Sequence, residues 1–233
     1  AYVTEALRRG SRVLVTARPG SDLAVRSESR LTTLLASTTT DPLCRAVVAL
    51  MALHALGLTA YVDPEAIAAR MDAVAADCSY AHDLSANPAK TLALELADAQ
   101  PLIWGGSVLA ARASRRIAEA VRAASGRVAL AADASEILPI VDETRPRDVF
   151  SDPFETEGAE RRPTLVILED GLGDAASDEA RDTLERHAAA ADVRVSLLAH
   201  ETDAEIVRYA SLLQKGRFAA AYLAIGLRRT PAS

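Results

Sequence analysis

Short apolar runs alternate with longer amphipathic stretches along this chain of 233 residues. Residues 2–9 read as the end of a helix that Gly10 stops, and five apolar runs are typical of buried strands, at residues 12–17, 102–104, 127–132, 164–168 and 193–198. From residue 87 onward the order of predicted elements is helix, strand, helix, strand, loop, strand, helix, strand, helix, and the last helix is expected to be interrupted at Gly216. This alternation predicts an α/β fold with a doubly wound, mostly parallel sheet.

Three helices are predicted to begin at the same signature, an Asp or Asn N-cap followed by proline at the first helical position. The pairs are Asp41-Pro42, Asp63-Pro64 and Asn87-Pro88. The first of these helices, over 42–58, carries an apolar face wider than one small domain needs. We therefore expect it at or near the interface of a homodimer, and the apolar residues of that face are Leu43, Val47, Leu50, Met51 and Leu58.

Several segments have no clear helical or strand period. Residues 25–41 are rich in Ser and Thr, which favours a linker or a capped helix entry over a hydroxyl-lined phosphate site. Residues 144–162 are charged and contain or adjoin three prolines, which predicts a surface loop. The chain opens on a helix and a strand with no earlier strand to pair, so we expect that further βα units precede Ala1.

The stretch from Pro101 to Arg122 contains the candidate chemistry. Ser107 follows a predicted strand and is a good N-cap, where free backbone N–H groups can hold an anion. The helix after it carries Glu119 among basic residues three or four positions apart, which are Arg112, Arg115, Arg116 and Arg122. This stripe is interpreted either as a site for proton chemistry on an anionic substrate or as a solvated row of ion pairs.

The charge, the apolar runs and the cysteine and glycine spacings of the chain argue against several classes of function. A net charge of −6 argues against nucleic-acid binding, and no apolar run reaches the roughly 18 residues that cross a bilayer. Cys44 and Cys78 form no CxxC pair, so no zinc site is expected and a reducing, cytoplasmic location is the default. Gly105-Gly106 lacks the G-x-G-x-x-G spacing of a dinucleotide-binding oxidoreductase.

Several segments, in order, resemble the bifunctional phosphoglucose/phosphomannose isomerases, whose two domains are of the sugar-isomerase (SIS) type. NPAKTLALEL followed by PLIWGGSVLAARASRRIAEAV resembles their second SIS domain, and RFAAAYLAIGL resembles their C-terminal helix. EALRRGSRVLVTARPGSDLA resembles the end of the first SIS domain, and HALGL the linker helix. The alanine-rich sequence of these segments resembles that of diverged, actinobacterial-type members of the family.

The resemblance implies domains at 1–41 (the end of a first SIS domain), 42–86 (linker helices) and 87–233 (a second SIS domain). It also implies a homodimer that interconverts aldose and ketose 6-phosphates through a cis-enediol, without a metal or redox cofactor. Glu119 matches the family's catalytic base, and Arg122 stands near the family's lysine. Arg30 matches an arginine of the linker, and we expect Arg30, Ser107 and Arg122 to bind substrate.

The chain departs from the family's pattern at three places. No asparagines flank Glu119, no histidine occurs in ASEILPIVDETRPRD where the family has its ring-opening histidine, and the chain ends in RRTPAS without the C-terminal lysine. Two functions follow as alternatives, a phosphosugar isomerase with Glu119 as base and a non-catalytic SIS module that binds sugar phosphates.

Overall fold

Two parallel sheets, one in each unit of the chain, form the framework of the protein. The structure is a computed structural model, and it describes residues 2–144, 161–200 and 202–228. The chain divides into two units between Glu65 and Ala66.

The first unit contains a two-stranded sheet with helices before, between and after its strands. Its elements are α1 (Tyr2–Arg8), β1 (Val13–Ala17), α2 (Asp22–Arg26), β2 (Thr32–Ala36) and α3 (Pro42–Ala55). The strands are parallel, with Val13 opposite Thr32 and Ala17 opposite Ala36. Val15, Ala17 and Ala24 form its small core.

The prediction of a linker over residues 25–41 was wrong, because this segment contains the end of α2 and all of β2. Threonine is a β-branched residue that favours strands, and this property outweighed the polarity of its hydroxyl. The helix predicted over 42–58 is present but ends at Ala55. The Asp41 side chain accepts hydrogen bonds from the backbone N–H groups of Leu43 and Cys44, as expected for an N-cap.

The second unit contains a four-stranded parallel sheet in the order β4-β3-β5-β6. Its elements are α4 (Pro64–Asp77, which starts at the boundary), a 3-10 turn (Leu84–Ala86), α5 (Pro88–Leu96), β3 (Gln100–Gly105), α6 (Val108–Ser125), β4 (Leu130–Ala131), α7 (Ala134–Asp142), β5 (Pro163–Glu169), α8 (Ala175–Ala190), β6 (Arg194–Ala199) and α9 (Glu205–Gly226). The predicted α/β class with a mostly parallel sheet is confirmed.

Helices cover both faces of this sheet, because successive strand residues point to opposite sides. On one face α5, α6 and α9 form a core with β3 and β5, and it includes Leu92, Ile103, Ile117, Val166 and Leu212. On the other face α7 and α8 pack on the alternate strand residues, and this core includes Leu102, Ile137, Leu165, Ile167 and Leu184. The sheet is therefore enclosed between two helical layers.

Three predictions in this unit need correction. The strand predicted over 127–132 is only two residues long, and α7 lies in a segment where no helix was predicted. The last helix was expected to be interrupted at Gly216, but α9 runs through that glycine without a break. Most of the loop predicted at 144–162 lies outside the described residues. No described helix has the length and apolar character needed to cross a membrane.

Candidate functional site

The carboxyl end of β3 leads directly into α6 through a tight turn. A Cβ atom on Gly105 would lie 2.4 Å from the backbone carbon of Ala110, so only glycine allows the helix to fold back this closely. Ser107 is the N-cap of α6, and its hydroxyl oxygen accepts a hydrogen bond of 3.0 Å from the Ala110 N–H. The predicted position of Ser107, at the sheet edge and the helix start, is thus observed.

The Ser107 hydroxyl also donates a hydrogen bond to the carboxylate of Asp170, which follows β5. Asp170 is only 2% exposed, and its second oxygen accepts from the Leu172 N–H at 3.1 Å. The hydroxyl of Ser107 is therefore engaged both as acceptor and as donor. Substrate binding by this hydroxyl remains a prediction.

Sheet topology explains why these two loops meet. The helix after β3 packs on one face of the sheet and the helix after β5 packs on the other, so the loops diverge between these neighbouring strands. Such a switch point opens a crevice beyond the carboxyl ends of the strands, where ligands of α/β proteins bind. The crevice is lined by residues of both loops and of α8, among them Trp104, Gly106, Ser107, Asp170, Ser177 and Arg181.

The start of α8 contributes the remaining polar groups of the crevice. The Ser177 hydroxyl lies 3.1 Å from the Gly106 carbonyl oxygen and 2.8 Å from an Asp174 carboxylate oxygen. Hydrogen bonds from the backbone and hydroxyl of Ser177 lower the pKa of Asp174. Arg181 forms an ion pair of 2.6 Å with Glu169. The crevice thus combines carboxylates, which accept hydrogen bonds, with hydroxyls, which both donate and accept them.

Glu119 does not lie in this crevice. It is twelve residues beyond Ser107 on α6, roughly 18 Å along the axis at about 1.5 Å per residue. Its side chain is 48% exposed and forms an ion pair with Arg116. Arg122 donates a hydrogen bond of 2.7 Å to the Ala129 carbonyl oxygen. The two residues share a helix, but the hydrogen bonds of their side chains go to different groups.

Arg30 belongs to the first unit, where it is exposed just before β2. The structure therefore brings Ser107 together with Asp170, which the sequence reasoning had not identified as a site residue. The signal for Asp170 was present, since the apolar run TLVIL ends in two acidic residues at the predicted sheet edge. The roles of Arg30, Ser107, Glu119 and Arg122 remain predictions.

A second group of polar side chains lies at the carboxyl end of β6 and was not predicted. Arg70 and His200 both contact one carboxylate oxygen of Asp203, at 2.8 Å and 3.1 Å. Arg208 donates to the backbone carbonyl oxygens of Asp203 at 2.8 Å and of Asp170 at 2.6 Å. Lys215 donates to the Ala199 carbonyl oxygen at 2.9 Å. We call Arg70, His200, Arg208 and Lys215 the basic cluster.

Electrostatic effects within the basic cluster are consistent with its geometry. The hydrogen bond from His200 lowers the pKa of Asp203, and the positive charge of Arg70 acts in the same direction. Burial lowers the pKa of the Lys215 ammonium, while the neighbouring Cys78 and Asp77 act in the opposite direction. The cluster therefore holds one carboxylate firmly in its charged form.

Comparison with known protein families identifies the second unit. The model of the family described as bacterial phospho-glucose isomerase C-terminal SIS domain matches residues 85–233. The chain belongs to this family. The matched residues include all of α6. A search of curated proteins found no match.

The fold also has a solved counterpart. A glucose-6-phosphate isomerase like protein from Thermus thermophilus matches with a TM-score of 0.63 and 16% sequence identity. The match covers 99% of this chain and 70% of the Thermus protein. At this identity the likeness shows a shared fold, and the family match supports the recognition of a phosphosugar isomerase relative.

Proposed function

We propose that this protein is a phosphosugar isomerase that interconverts glucose or mannose 6-phosphate with fructose 6-phosphate. The observation that carries the proposal is the family match over residues 85–233. These residues include Glu119, to which the resemblance in the sequence assigns the role of base. The Glu119 carboxylate is half exposed, so a substrate can approach it without unfolding of the helix. No metal or redox cofactor enters the proposed reaction.

In the proposed reaction Glu119 removes the C2 proton of the open-chain aldose 6-phosphate. The electrons of the C–H bond form the C1–C2 double bond of a cis-enediol, and the aldehyde oxygen takes up a proton. C1 then receives a proton while the C2 hydroxyl releases its proton to solvent, so that the C2 carbonyl of the ketose forms. Arg116 already holds the Glu119 carboxylate, so this guanidinium orients the base. We assign Arg30, Ser107 and Arg122 to substrate binding, because guanidinium and hydroxyl donors suit a phosphate.

We also propose a homodimer with α3 near its interface, and domain boundaries near residues 41 and 86. Solvent-exposed apolar side chains at the end of α3 and just after it support the interface, since Met51, Leu56 and Leu58 are all exposed. The proposal places a partner subunit over these side chains.

The alternative function is a SIS module that binds sugar phosphates without turning them over. One observation favours it: the Glu119 carboxylate forms an ion pair with Arg116, and the crevice at Ser107 and Asp170 does not contain it. The absence of a histidine in the segment where the family has its ring-opening residue adds to this alternative.

Hydrogen exchange at C2 separates the two functions. Fructose 6-phosphate, which has no hydrogen at C2, is incubated with the protein in heavy water. Proton NMR then follows deuterium incorporation at C1 of the ketose and at C2 of the aldose that appears. If Glu119 is the base, the wild-type protein catalyses exchange and Glu119→Gln lowers the rate by roughly 10²–10⁴-fold, because general bases contribute about that much. The melting temperature stays nearly unchanged, because the side chain is half exposed.

Glu179→Gln is the matched control, because Glu179 is an exposed glutamate on another helix, α8. Its exchange rate is expected to equal that of the wild-type protein. Binding of fructose 6-phosphate without any exchange would establish the non-catalytic module instead. Equal rates for Glu119→Gln and the wild-type protein would remove Glu119 from the mechanism.

A further inference from the structure

The basic cluster gathers side chains from three different parts of the chain, and two of them, Arg70 and His200, contact the carboxylate of Asp203. Arg70 comes from α4, His200 follows β6, and Arg208 and Lys215 come from α9. Their meeting point lies beyond the carboxyl end of β6, on the edge of a parallel sheet where ligands bind. Asp203 is the carboxylate that Arg70 and His200 share, and Asp77 lies close enough to affect the Lys215 ammonium.

The side chains of the basic cluster carry more N–H donors than their hydrogen bonds to protein acceptors use. An arginine carries five N–H donors and a lysine three. The contacts of Arg208 to two carbonyl oxygens account for two of its five donors, and the contact of Lys215 to Ala199 accounts for one of three. A phosphate group, with several acceptor oxygens and two negative charges, matches such a set of donors.

The polar stripe of α9 contains one more donor. Arg208, Ser211 and Lys215 follow each other at spacings of three and four, so they lie on one face of the helix. Ser211 is fully buried, and among the described residues its hydroxyl has no hydrogen-bond partner. Buried hydroxyls in proteins usually have a partner, so this face retains an unused polar group.

The backbone of Asp203 has an unusual conformation, and three neighbouring side chains hold this residue in place. Its φ of +76° lies in the left-handed region, which L-residues other than Asn and Asp rarely adopt. Arg208 holds its carbonyl oxygen, while Arg70 and His200 hold its carboxylate. The carboxylate thereby occupies the point at which an external anion would meet the same basic side chains.

We propose that the basic cluster is a binding site for the phosphate group of a phosphate monoester, and that the Asp203 carboxylate occupies this site until the ligand displaces it. Ligand binding then exchanges an internal anion for an external one at the same basic side chains. The carbonyl contact from Arg208 to Asp170 links this site to the crevice at Ser107. The site is separate from Glu119, and its test does not depend on turnover.

Isothermal titration of the full chain tests the proposal with three probes, which are fructose 6-phosphate, inorganic phosphate and fructose. The wild-type protein is expected to bind both phosphates and not fructose. Asp203→Asn is expected to bind both phosphates about tenfold more tightly, because a competing negative charge is removed. Arg70→Gln and Lys215→Gln are each expected to bind about tenfold more weakly, because a favourable charge is lost.

Two variants at the opposite end of β6 serve as matched controls. Asp192→Asn also removes a negative charge at a non-glycine residue with positive φ, and Arg194→Gln removes an exposed positive charge. Both lie about 17 Å or more from Ala199 along the strand, at roughly 3.3 Å per residue. Each is expected to change the phosphate affinity by less than about twofold, because the Debye length at physiological salt is about 8 Å.

A purely structural network gives a different result. In that case Asp203→Asn lowers the melting temperature and leaves phosphate affinity equal to that of Asp192→Asn, which would overturn the proposal. Failure of the wild-type protein to bind either phosphate at 10 mM, roughly the weakest range that titration detects, would also overturn it. If Asp203→Asn does not fold, unchanged affinity in Arg70→Gln and Lys215→Gln has the same meaning.

The titration also separates this site from the proposed isomerase function. Glu119→Gln is expected to keep wild-type phosphate affinity while C2 exchange is lost. Stronger binding of fructose 6-phosphate than of inorganic phosphate, weakened in Arg70→Gln and Lys215→Gln, would identify a sugar phosphate as the ligand of this site. Equal binding of the two probes would identify a site that recognises the phosphate group alone.

Discussion

At the scale of single residues, the contact between Gly216 and Ile117 sets how closely α9 approaches α6. A Cβ atom on Gly216 would lie 2.4 Å from Cγ1 and 2.5 Å from Cδ1 of Ile117. Ile117 is 1% exposed and belongs to the core between the helices and the sheet. Gly216 therefore allows close packing, which explains why it stays within the helix and does not end it.

We predict that Gly216→Ala destabilises the protein by about 1–3 kcal/mol, because added volume in a packed core forces side chains and backbone to shift. Chemical denaturation followed by circular dichroism measures the change in free energy of unfolding. Gly226→Ala, in the same helix, is the control, because a Cβ atom there would meet nothing within 4 Å. It is expected to cause no loss of stability.

A double variant tests the cause of this effect. Truncation of the opposing side chain in Gly216→Ala/Ile117→Ala makes room for the new methyl group. The combined loss is then smaller than the sum of the two single losses by about 1 kcal/mol or more, as expected for residues in direct contact. Strict additivity would show that helix backbone effects, and not this contact, explain the result.

Ser107 illustrates which features of a single site residue can be predicted from the sequence. Ser107 was identified correctly as an N-cap at the sheet edge, because capping depends on residues that are close in sequence. The partnership of Ser107 with Asp170 spans 63 positions and depends on the strand order. No local pattern encodes strand order, so the residue type was visible while its partner was not.

At the scale of elements, Asn87 fixes the start of α5 and joins it to the segment before it. Its side-chain oxygen accepts from the N–H groups of Ala89 and Lys90, and its amide donates to the Ser79 carbonyl oxygen at 2.9 Å. The residue is fully buried. The capping role was predicted from the Asn-Pro pair, whereas the contact to Ser79 was not.

We predict that Asn87→Ala lowers the free energy of unfolding by about 2–3 kcal/mol, since it removes a cap and leaves buried polar groups unpaired. Asn87→Asp keeps the two capping bonds but loses the donor to Ser79, so we expect an intermediate loss. Thermal and urea unfolding measure the series. Asp174→Ala removes the exposed cap of α8 and is expected to lower the free energy of unfolding by less than Asn87→Ala does. An equal or larger loss in Asp174→Ala would contradict the role assigned to the burial of Asn87.

Two elements escaped the sequence reasoning for different physical reasons. The strand β2 is short and rich in threonine, so its polar composition concealed a β-forming segment. The helix α7 has only nine residues and contains Pro139, which normally interrupts a helix. In contrast, α6 has 18 residues with a regular apolar stripe, and its position was predicted correctly.

At the scale of the whole molecule, the proposed homodimer is the prediction that affects function most, because the family resemblance implies sites built by two subunits. Met51 is 42% exposed and Leu58 is 70% exposed, at the end of α3 and just beyond it. We predict a dimer at micromolar concentration, with Met51→Asp and Leu58→Asp each shifting the protein to monomer. A charge at a buried apolar interface is costly without a partner.

Sedimentation velocity at several concentrations measures the oligomeric state. Leu94→Asp is the matched control, because Leu94 is an exposed leucine on α5 in the second unit. This variant is expected to remain a dimer. A wild-type protein that sediments as a monomer at about 10 μM, or dissociation by Leu94→Asp alone, would contradict the proposed interface.

The packing of α6 on α9 also has a consequence for how the chain folds during synthesis. The apolar face of α6 is covered largely by α9, and α9 is complete only when residue 226 has been made. The central strands β3 and β5 are likewise neighbours although more than fifty residues separate them along the chain. Until the ribosome has released α9, the side chains around Ile117 lack their main partner. The second unit therefore acquires its native core only after α9 has been made, and until then the apolar face of α6 is exposed to aggregation.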